Sequence, residues 1–146
     1  MVKITASHLY NFVQCPHRVW RDAHDDKRLR DEPNEFVKML WEKGTQYEDE
    51  VMEGMEGEQE VCDLSVVPIE KRAEATIEAL QRKEPLIYHG RLDVDNLLGE
   101  PDLLELQPDG EYVPVDIKSG MALEGQKDFE EGKPKKHYAL QLALYV

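Results

Sequence analysis

The stretches Gly99-Glu100-Pro101-Asp102 and Val115-Asp116-Ile117-Lys118 lie on either side of a strong turn signal, Pro108-Asp109-Gly110. Proline, aspartate and glycine each favour a tight turn, so the segment predicts a β-hairpin. A hairpin centred on this turn places Asp102 opposite Asp116. Lys118 follows Asp116 by two residues, which puts both side chains on one face of a strand. The sequence therefore predicts two carboxylates and one amine on the same face of a hairpin.

This pairing of charges has two interpretations. Like charges that face each other destabilise a sheet, and a chain that keeps them there usually holds a cation between them. Two acidic oxygens and an ammonium group suit the metal-assisted hydrolysis of a phosphodiester. The alternative is an exposed acidic hairpin with a lysine beside it, and a β-bulge would change the register. The hairpin alone favours neither interpretation.

The chemistry of the donor atoms indicates which metal would fit. Asp102, Asp116 and the backbone carbonyl of Ile117 offer oxygen atoms, which select Mg²⁺ or Mn²⁺ rather than Zn²⁺. Lys118 would orient the attacking water and offset the negative charge that develops on the phosphate. Because two carboxylates favour its ammonium form, Lys118 suits electrostatic stabilisation better than the role of a general base.

The chain has 146 residues, enough for one domain with a core. Its net charge of −13, from 31 acidic and 18 basic residues, argues against nucleic-acid binding, because phosphate contacts need lysine and arginine. A nuclease needs only a local basic groove, and residues 127–137 contain four lysines and a histidine. The charge therefore lowers the expectation of DNA binding without excluding it.

The sequence also indicates where the protein works. No apolar run approaches the length of a membrane span, and residues 1–5 lack the apolar core of a signal peptide. The two cysteines, Cys15 and Cys62, cannot form a disulfide framework, which favours a reducing compartment. We therefore expect a cytoplasmic location and no membrane partner.

Hydrophobic periodicity predicts helices and strands in a mixed order. Ser7 is the predicted cap of the first helix, and Pro16 opens the second. Gly44 predicts a kink or a close contact within the third helix. Val113, Val115 and Ile117 alternate along the hairpin and predict its buried face. The predicted helices cover residues 7–20 in two pieces, 33–55, 68–80 and 136–146; the predicted strands cover 59–64, 86–92, 102–106 and 112–118; residues 119–134 are a predicted loop.

Four segments together resemble the PD-(D/E)XK nuclease superfamily, and specifically its RecB-like branch, which includes the CRISPR-associated RecB-like exonucleases. The resemblance is carried by residues 7–20 with Cys15-Pro16, residues 99–104 around Asp102, residues 115–120 with the Asp-x-Lys motif, and residues 141–145 with Gln-x-x-x-Tyr. It covers the first 20 residues and residues 86–145, and the middle third only loosely.

The resemblance implies a restriction-endonuclease-like α/β core, with a central mixed sheet flanked by helices and residues 1–146 forming one RecB-like domain. The superfamily usually adds a strand after the last helix, so we expect the domain to be C-terminally incomplete and part of a longer protein. A sheet that lacks this strand has an unpaired edge, which invites a dimer or a partner domain to cover it.

The resemblance also implies roles for residues outside the hairpin. Residues 44–48 look like the helical Gly-x-x-x-His/Glu element, where Glu48 would be a further metal ligand; the alternative is a solvated acid on an acidic helix. Gln141 and Tyr145 share one helix face and would help to place the nucleic acid and the active-site strand. Lys135 and Lys136 would contact the DNA. The alternative for this helix is an ordinary helix edge.

Cys15 raises a separate question. In the CRISPR-associated relatives, a cysteine at this position joins three C-terminal cysteines to hold an iron–sulfur cluster. Only Cys62 is available here, and four thiolates cannot be assembled from two cysteines. Either the other ligands lie in a missing C-terminal region or Cys15 is a buried apolar residue, and we expect the second.

The histidines do not have the spacing of a zinc site. His8, His17 and His24 are predicted to lie on helix surfaces, and His89 is predicted to be a packed histidine in a strand near the site, where contact with substrate is the alternative.

These inferences lead to a metal-dependent deoxyribonuclease. The resemblance to the RecB-like branch implies an exonuclease that acts on single-stranded DNA ends, in DNA repair or CRISPR-related processing. The alternative is a catalytically inactive nuclease-fold module for binding or scaffolding, which the net charge of −13 favours. A third interpretation is an acidic protein-interaction domain that only mimics the motifs.

Overall fold

The computed structural model describes residues 3–120, 123–124 and 132–146. In chain order the helices are α1 (Ala6–Gln14), α2 (Pro16–His24), α3 (Glu35–Glu56), α4 (Ile69–Gln81) and α5 (Lys136–Ala143), and a 3₁₀ turn at Lys27–Leu29 follows α2. The strands are β1 (Cys62–Asp63), β2 (Leu86–Tyr88), β3 (Leu92–Val94), β4 (Leu97–Gly99), β5 (Leu103–Leu106), β6 (Tyr112–Val115), β7 (Leu123–Glu124) and β8 (Lys133–Pro134).

The central sheet has four strands in the order β1-β2-β5-β6. Strand β1 runs parallel to β2, and the other pairs are antiparallel, so the sheet is mixed. In the β5–β6 hairpin Leu103 pairs with Val115, so Asp102 and Asp116 both lie one residue beyond the ladder at the same end. Gly110 takes a φ of 91° in the turn, as only glycine does easily. The predicted turn and register are confirmed.

Both faces of this sheet are covered. Alternate residues of β2 and β5 point to opposite sides. Leu86 and Leu103 pack with Met52 of α3, and Ile87 and Leu104 pack with Ala79 of α4. The two helices therefore enclose the sheet between two apolar layers. This confirms the predicted α/β core with a mixed sheet flanked by helices.

The first and last helices contact each other and lie beside the β3–β4 hairpin. Helix α5 packs against α1, where the ring of His137 meets Tyr10 edge-on at 5.1 Å between centroids. Just before α1, Ile4 forms a parallel bridge with Leu97 of β4. These contacts hold α5 beside the β3–β4 hairpin, and α5 carries two of the predicted site residues.

Several local predictions are wrong. Thr5, not Ser7, caps α1, because its side chain accepts the N–H of His8 and the His8 ring accepts the N–H of Thr5. The predicted strand over residues 86–92 ends at Tyr88, because His89 takes a φ of 55°. A Cβ on Gly44 would meet no atom within 4 Å, so the predicted close contact is wrong, and the kink stays a prediction.

The second strand of the hairpin also differs from its prediction. It ends at Val115 and not at Lys118. Val115 and Ile117 pack into the layer below α3, as predicted. Val113 is 44% exposed, because it pairs with the exposed Glu105 near the turn.

The cysteines are free thiols. Cys15 is exposed between α1 and α2, so its prediction as a buried apolar residue is wrong: neighbouring α2 has no buried residue that would form a core around it. Cys62 is half-buried in β1, and burial raises the pKa of its thiol. His17 and His24 lie on the surface of α2, as predicted, and stack on Trp20. In the part of the chain that the structure describes, no helix has the length and apolar character needed to cross a membrane.

Candidate active site

The two carboxylates of the hairpin lie at the ends of two neighbouring strands. Asp102 directly precedes β5 and Asp116 directly follows β6. The side chain of Asp102 is 20% exposed and that of Asp116 only 5%. The backbone N–H of Ile117 donates to Oδ2 of Asp102 over 2.6 Å. This bond fixes the Asp102 carboxylate against the segment that carries Asp116.

The ammonium group of Lys118 bridges the two carboxylates. Its Nζ lies 2.8 Å from Oδ2 of Asp116 and 3.8 Å from Oδ2 of Asp102. The alternation along a strand does not account for this, because β6 ends at Val115. The segment that follows β6 brings Lys118 to the two carboxylates. The three side chains therefore meet as predicted, although an extended strand is not what places Lys118 there.

The surroundings of Asp116 disfavour the ionised form of its carboxyl group. Burial raises the pKa of its carboxyl group above the ordinary value, nearby Asp102 adds to this, and Lys118 opposes it. Within the described residues Oδ2 of Asp116 is buried without a hydrogen-bond partner, and Nζ of Lys118 forms an ion pair with it over 2.8 Å. A buried carboxylate oxygen that lacks a hydrogen bond fits a hard divalent cation. Asp102 and Asp116 are therefore the residues that would hold Mg²⁺ or Mn²⁺.

Helix α5 completes the surroundings of Asp116. The Nε2 group of Gln141 donates to Oδ1 of Asp116 over 2.8 Å. One turn later the hydroxyl of Tyr145 donates to the backbone carbonyl of Glu100 over 3.3 Å. Gly99 makes room for the Tyr145 ring, because a Cβ there would lie 2.6 Å from the ring. Helix α5 ends at Ala143, so Tyr145 lies just beyond it, and the prediction that Gln141 and Tyr145 share one helix face is wrong. Both side chains still meet the site, and burial raises the pKa of the Tyr145 hydroxyl.

Glu48 forms a separate group on α3. Its Oε1 accepts the hydroxyl of Tyr88 over 3.0 Å and lies 2.8 Å from Nε2 of His89. Burial, and then the hydrogen bond to Glu48, raise the pKa of Tyr88. The backbone N–H of His89 donates to the carbonyl of Asp102 over 2.9 Å. The Glu48 group and the aspartate pair are therefore linked through His89.

The structure does not bring every predicted residue to the aspartates. Within residues 3–120, 123–124 and 132–146, no three His, Cys, Asp or Glu side chains are close enough to hold a metal ion. Lys135 lies over the ring of Tyr138, with its Nζ 5.4 Å from the ring centroid, and Lys136 is exposed at the start of α5. Part of the predicted basic segment, residues 127–131, lies outside the described residues.

Sequence reasoning missed one participant and misjudged another. Tyr88 was not predicted, although a tyrosine at the end of a strand beside a histidine is a weak signal of a polar site. His89 was expected to be packed, but it is half-exposed and contacts Glu48. No spacing rule connects positions 48 and 88, so only the fold shows that they meet.

Comparison with known proteins agrees with this geometry. A model of the PD-(D/E)XK nuclease superfamily matches residues 8–146, nearly the whole chain. No curated protein and no solved structure gives a significant match.

Proposed function

The chain belongs to the PD-(D/E)XK nuclease superfamily, and on this premise we propose that it is a Mg²⁺- or Mn²⁺-dependent deoxyribonuclease. The observation that carries the proposal is the Lys118 ammonium group between Asp102 and Asp116, 2.8 Å from the buried oxygen of Asp116. Two carboxylates and a lysine at one strand end suit hydrolysis of a phosphodiester.

Each side chain has a role in this proposal. Asp102 and Asp116 hold the divalent cation, joined by the carbonyl of Ile117. The cation supplies positive charge at the scissile phosphate when it is bound. Lys118 orients the attacking water and stabilises the charge that develops on the phosphate. Gln141 holds the Asp116 carboxylate in place through its 2.8 Å hydrogen bond.

The substrate and pathway are finer parts of the same proposal. The order of the motifs supports the RecB-like branch and, with it, an exonuclease that acts on single-stranded DNA ends in DNA repair or CRISPR-related processing. Lys135 and Lys136 would contact the DNA strand near α5, whereas Tyr145 is buried beside Gly99, so its predicted contact with the nucleic acid is wrong. The thiol of Cys15 is exposed and could therefore bind an iron–sulfur cluster. This sequence contains only two cysteines, so the remaining ligands would have to come from outside it.

Metal binding and cleavage test the proposal together. We would titrate Mn²⁺ and Mg²⁺ into the wild type, Asp116→Ala and Lys118→Ala by calorimetry, and then assay end-labelled DNA. We expect Asp116→Ala to abolish the binding heat. We expect Lys118→Ala to retain the binding heat, because no ammonium group then competes with the cation for the carboxylates. Its cleavage rate should nevertheless fall roughly 100- to 1,000-fold. Lys38→Ala is the matched control, since Lys38 is exposed on α3 and pairs with Glu35.

The substrate forms separate the finer alternatives. An exonuclease degrades linear single strands and leaves closed circles intact, whereas an endonuclease cleaves both, and RNA of the same sequence tests the sugar preference. The net charge of −13 favours the second candidate, an inactive nuclease-fold module for binding or scaffolding. DNA that is bound but not cleaved in the presence of either Mg²⁺ or Mn²⁺ would support that module and contradict the nuclease, provided that Asp116→Ala and Lys118→Ala leave the binding unchanged.

A further inference from the structure

Both tryptophans of the chain are exposed to solvent. Trp20 on α2 is 53% exposed and Trp41 on α3 is 61% exposed. Phe36 and Leu40, in the same half of α3 as Trp41, are also exposed, whereas Met52 in the other half is buried on the sheet. Helix α3 therefore packs on the sheet through its C-terminal half and presents apolar side chains to solvent at its N-terminal half. Exposed aromatic patches of this kind mark interaction sites.

A cleft of about 490 Å³, which we call the α2–α3 cleft, lies beside Trp41. Three cations, two carboxylates and three apolar side chains line it: Arg18, Lys27, Arg30, Asp31, Glu32, Pro33, Val37 and Trp41. Within the described residues no ion pair includes Lys27 or Arg30, whereas Nε of Arg18 lies 3.8 Å from a carboxylate oxygen of Asp22. The cleft thus combines an exposed indole ring with an excess of positive charge.

The charge of this region is opposite to that of the chain as a whole. Residues 15–30 carry five of the 18 basic residues and three of the 31 acidic ones, in a chain whose net charge is −13. A polyanion is attracted to such a region rather than to the acidic remainder. A neighbouring cleft of about 540 Å³ shares Arg18, Lys27 and Arg30, but four aspartates line it beside four lysine and arginine side chains. Positive charge and an indole ring therefore coincide in the α2–α3 cleft.

Helix α3 connects this cleft with the candidate active site. Trp41 precedes Glu48 by two helical turns, so the two lie on one helix face, about 10 Å apart along the axis. Glu48 contacts His89, whose backbone N–H donates to the carbonyl of Asp102. Gly44 lies between Trp41 and Glu48, and a Cβ there would meet no atom within 4 Å. This face of α3 is therefore clear for a chain that runs from the cleft toward the aspartates.

We propose that the α2–α3 cleft binds single-stranded nucleic acid, with a base stacked on Trp41 and backbone phosphates on Arg18, Lys27 and Arg30. The inference rests on the proposed nuclease function, which supplies the reason for a strand to lie here. Aromatic rings and cations in one groove are the combination by which proteins hold single strands. A duplex hides the faces of its bases, so its bases cannot stack on Trp41.

The probe is a labelled oligothymidylate of about 20 nucleotides, bound in the presence of a chelator so that it is not cleaved. Binding is measured by anisotropy and by quenching of tryptophan fluorescence. Trp41→Ala removes the ring, and Trp41→Phe keeps an aromatic face. Trp20→Ala is the matched control, because Trp20 is similarly exposed but stacks between His17 and His24 and does not line the cleft. Thermal unfolding verifies that each variant is folded.

Two further variants test the phosphate contacts. Lys27→Ala and Arg30→Ala each remove one cation from the cleft. The matched control is Lys71→Ala, because Lys71 is exposed on α4, which covers the other face of the sheet. Each loss in the cleft should lower the slope of log affinity against log salt by about 0.7, whereas the control should leave the slope unchanged.

The affinities should separate the ring in the cleft from the one outside it. We expect Trp41→Ala to weaken binding roughly 5- to 150-fold, and Trp41→Phe to restore most of it. Trp20→Ala should change the affinity by less than about twofold. A blunt duplex of the same length and polyglutamate should both bind more weakly than the oligothymidylate and be insensitive to Trp41→Ala.

The outcomes distinguish this inference from the function on which it rests. If the wild type binds and cleaves the oligonucleotide but Trp41→Ala does both equally well, the role of the cleft is wrong and the nuclease stands. Polyglutamate that binds as tightly, and through Trp41, would overturn the inference in favour of an acidic peptide. Binding through Trp41 without cleavage in Mg²⁺ or Mn²⁺ would contradict the nuclease and support the single-strand site. A wild type that neither binds nor cleaves would overturn both proposals.

Discussion

Ile117 donates its backbone N–H to the carboxylate of Asp102 over 2.6 Å. The donor lies between Asp116 and Lys118, so one hydrogen bond joins the start of β5 to the segment that follows β6. Asp102 therefore belongs to the fold as well as to the candidate metal site. Its replacements should separate these two contributions.

Asparagine and alanine at position 102 should behave differently. Asp102→Asn keeps an oxygen that accepts the Ile117 N–H, so we expect nearly wild-type stability with Mn²⁺ binding abolished. Asp102→Ala leaves that half-buried donor unpaired and should lower the free energy of unfolding by about 1–3 kcal/mol. Urea denaturation and calorimetry with Mn²⁺ measure the two effects. Equal stability of both variants would show that the hydrogen bond contributes little.

Replacement of Gln141 tests the hydrogen bond to Asp116. In Gln141→Ala the donor to Oδ1 is lost, and we expect roughly 10- to 100-fold weaker Mn²⁺ binding. Alanine favours helices, so α5 itself should remain intact. The matched control is Gln46→Ala, because Gln46 is exposed and donates to Glu50 on the surface of α3. A similar loss in both variants would contradict a specific role for Gln141.

Two glycine replacements should shift stability in opposite directions. Gly99→Ala places a Cβ 2.6 Å from the buried ring of Tyr145, which must move, so we expect a loss of about 1–3 kcal/mol. Gly44→Ala meets no atom within 4 Å and should gain about 1 kcal/mol in helix α3. Thermal unfolding compares both with the wild type. An unchanged midpoint for Gly99→Ala would mean that the ring yields without cost.

Tyr112, which lies outside the candidate site, should make the stability of the protein depend on pH. Burial, with a contribution from Glu84, raises the pKa of its hydroxyl above the ordinary value of 10.0. The native state then holds the proton more tightly than the unfolded state. This contribution to stability is complete below about pH 10 and is lost as the pH rises through the pKa of the folded protein.

The corresponding variant is Tyr112→Phe. At neutral pH it should lose about 1 kcal/mol with the hydrogen bond to the Glu84 carbonyl. Above about pH 10 its stability should fall less steeply than that of the wild type, which urea midpoints across the range would show. Parallel curves for the two proteins would rule out a raised pKa at Tyr112.

The sequence was most informative where local chemistry decides the structure. Pro108-Asp109-Gly110 specified the turn, and the turn specified the register that places Asp102 and Asp116 at one end of the sheet. Lys118 also meets the carboxylates as predicted, although β6 ends at Val115 and the predicted strand alternation is not what places it there. These relationships depend on residues close together in the chain, and for that reason pattern reasoning reached them.

Relationships over longer distances could not be predicted. Histidine is one of the residues that enter the left-handed region more often than most, but nothing in the sequence marks position 89 as the one that does so, and the bond to Asp102 holds it there. Glu48 and Tyr88 are 40 positions apart, and their contact depends on how α3 packs on the sheet. The exposure of Cys15 likewise follows from the orientation of two helices and not from the residue itself.

The packing of α5 against α1 has a consequence for how the protein is made. The candidate site includes Gln141 of α5 and Tyr145 just beyond it, and α5 is held by a helix from the opposite end of the chain. Contacts between such distant residues form late in folding. A chain still emerging from the ribosome therefore carries Asp102, Asp116 and Lys118 without the helix that orients them. On the proposed function, we expect a nascent chain that lacks α5 to bind Mn²⁺ weakly and to leave nearby nucleic acid uncut.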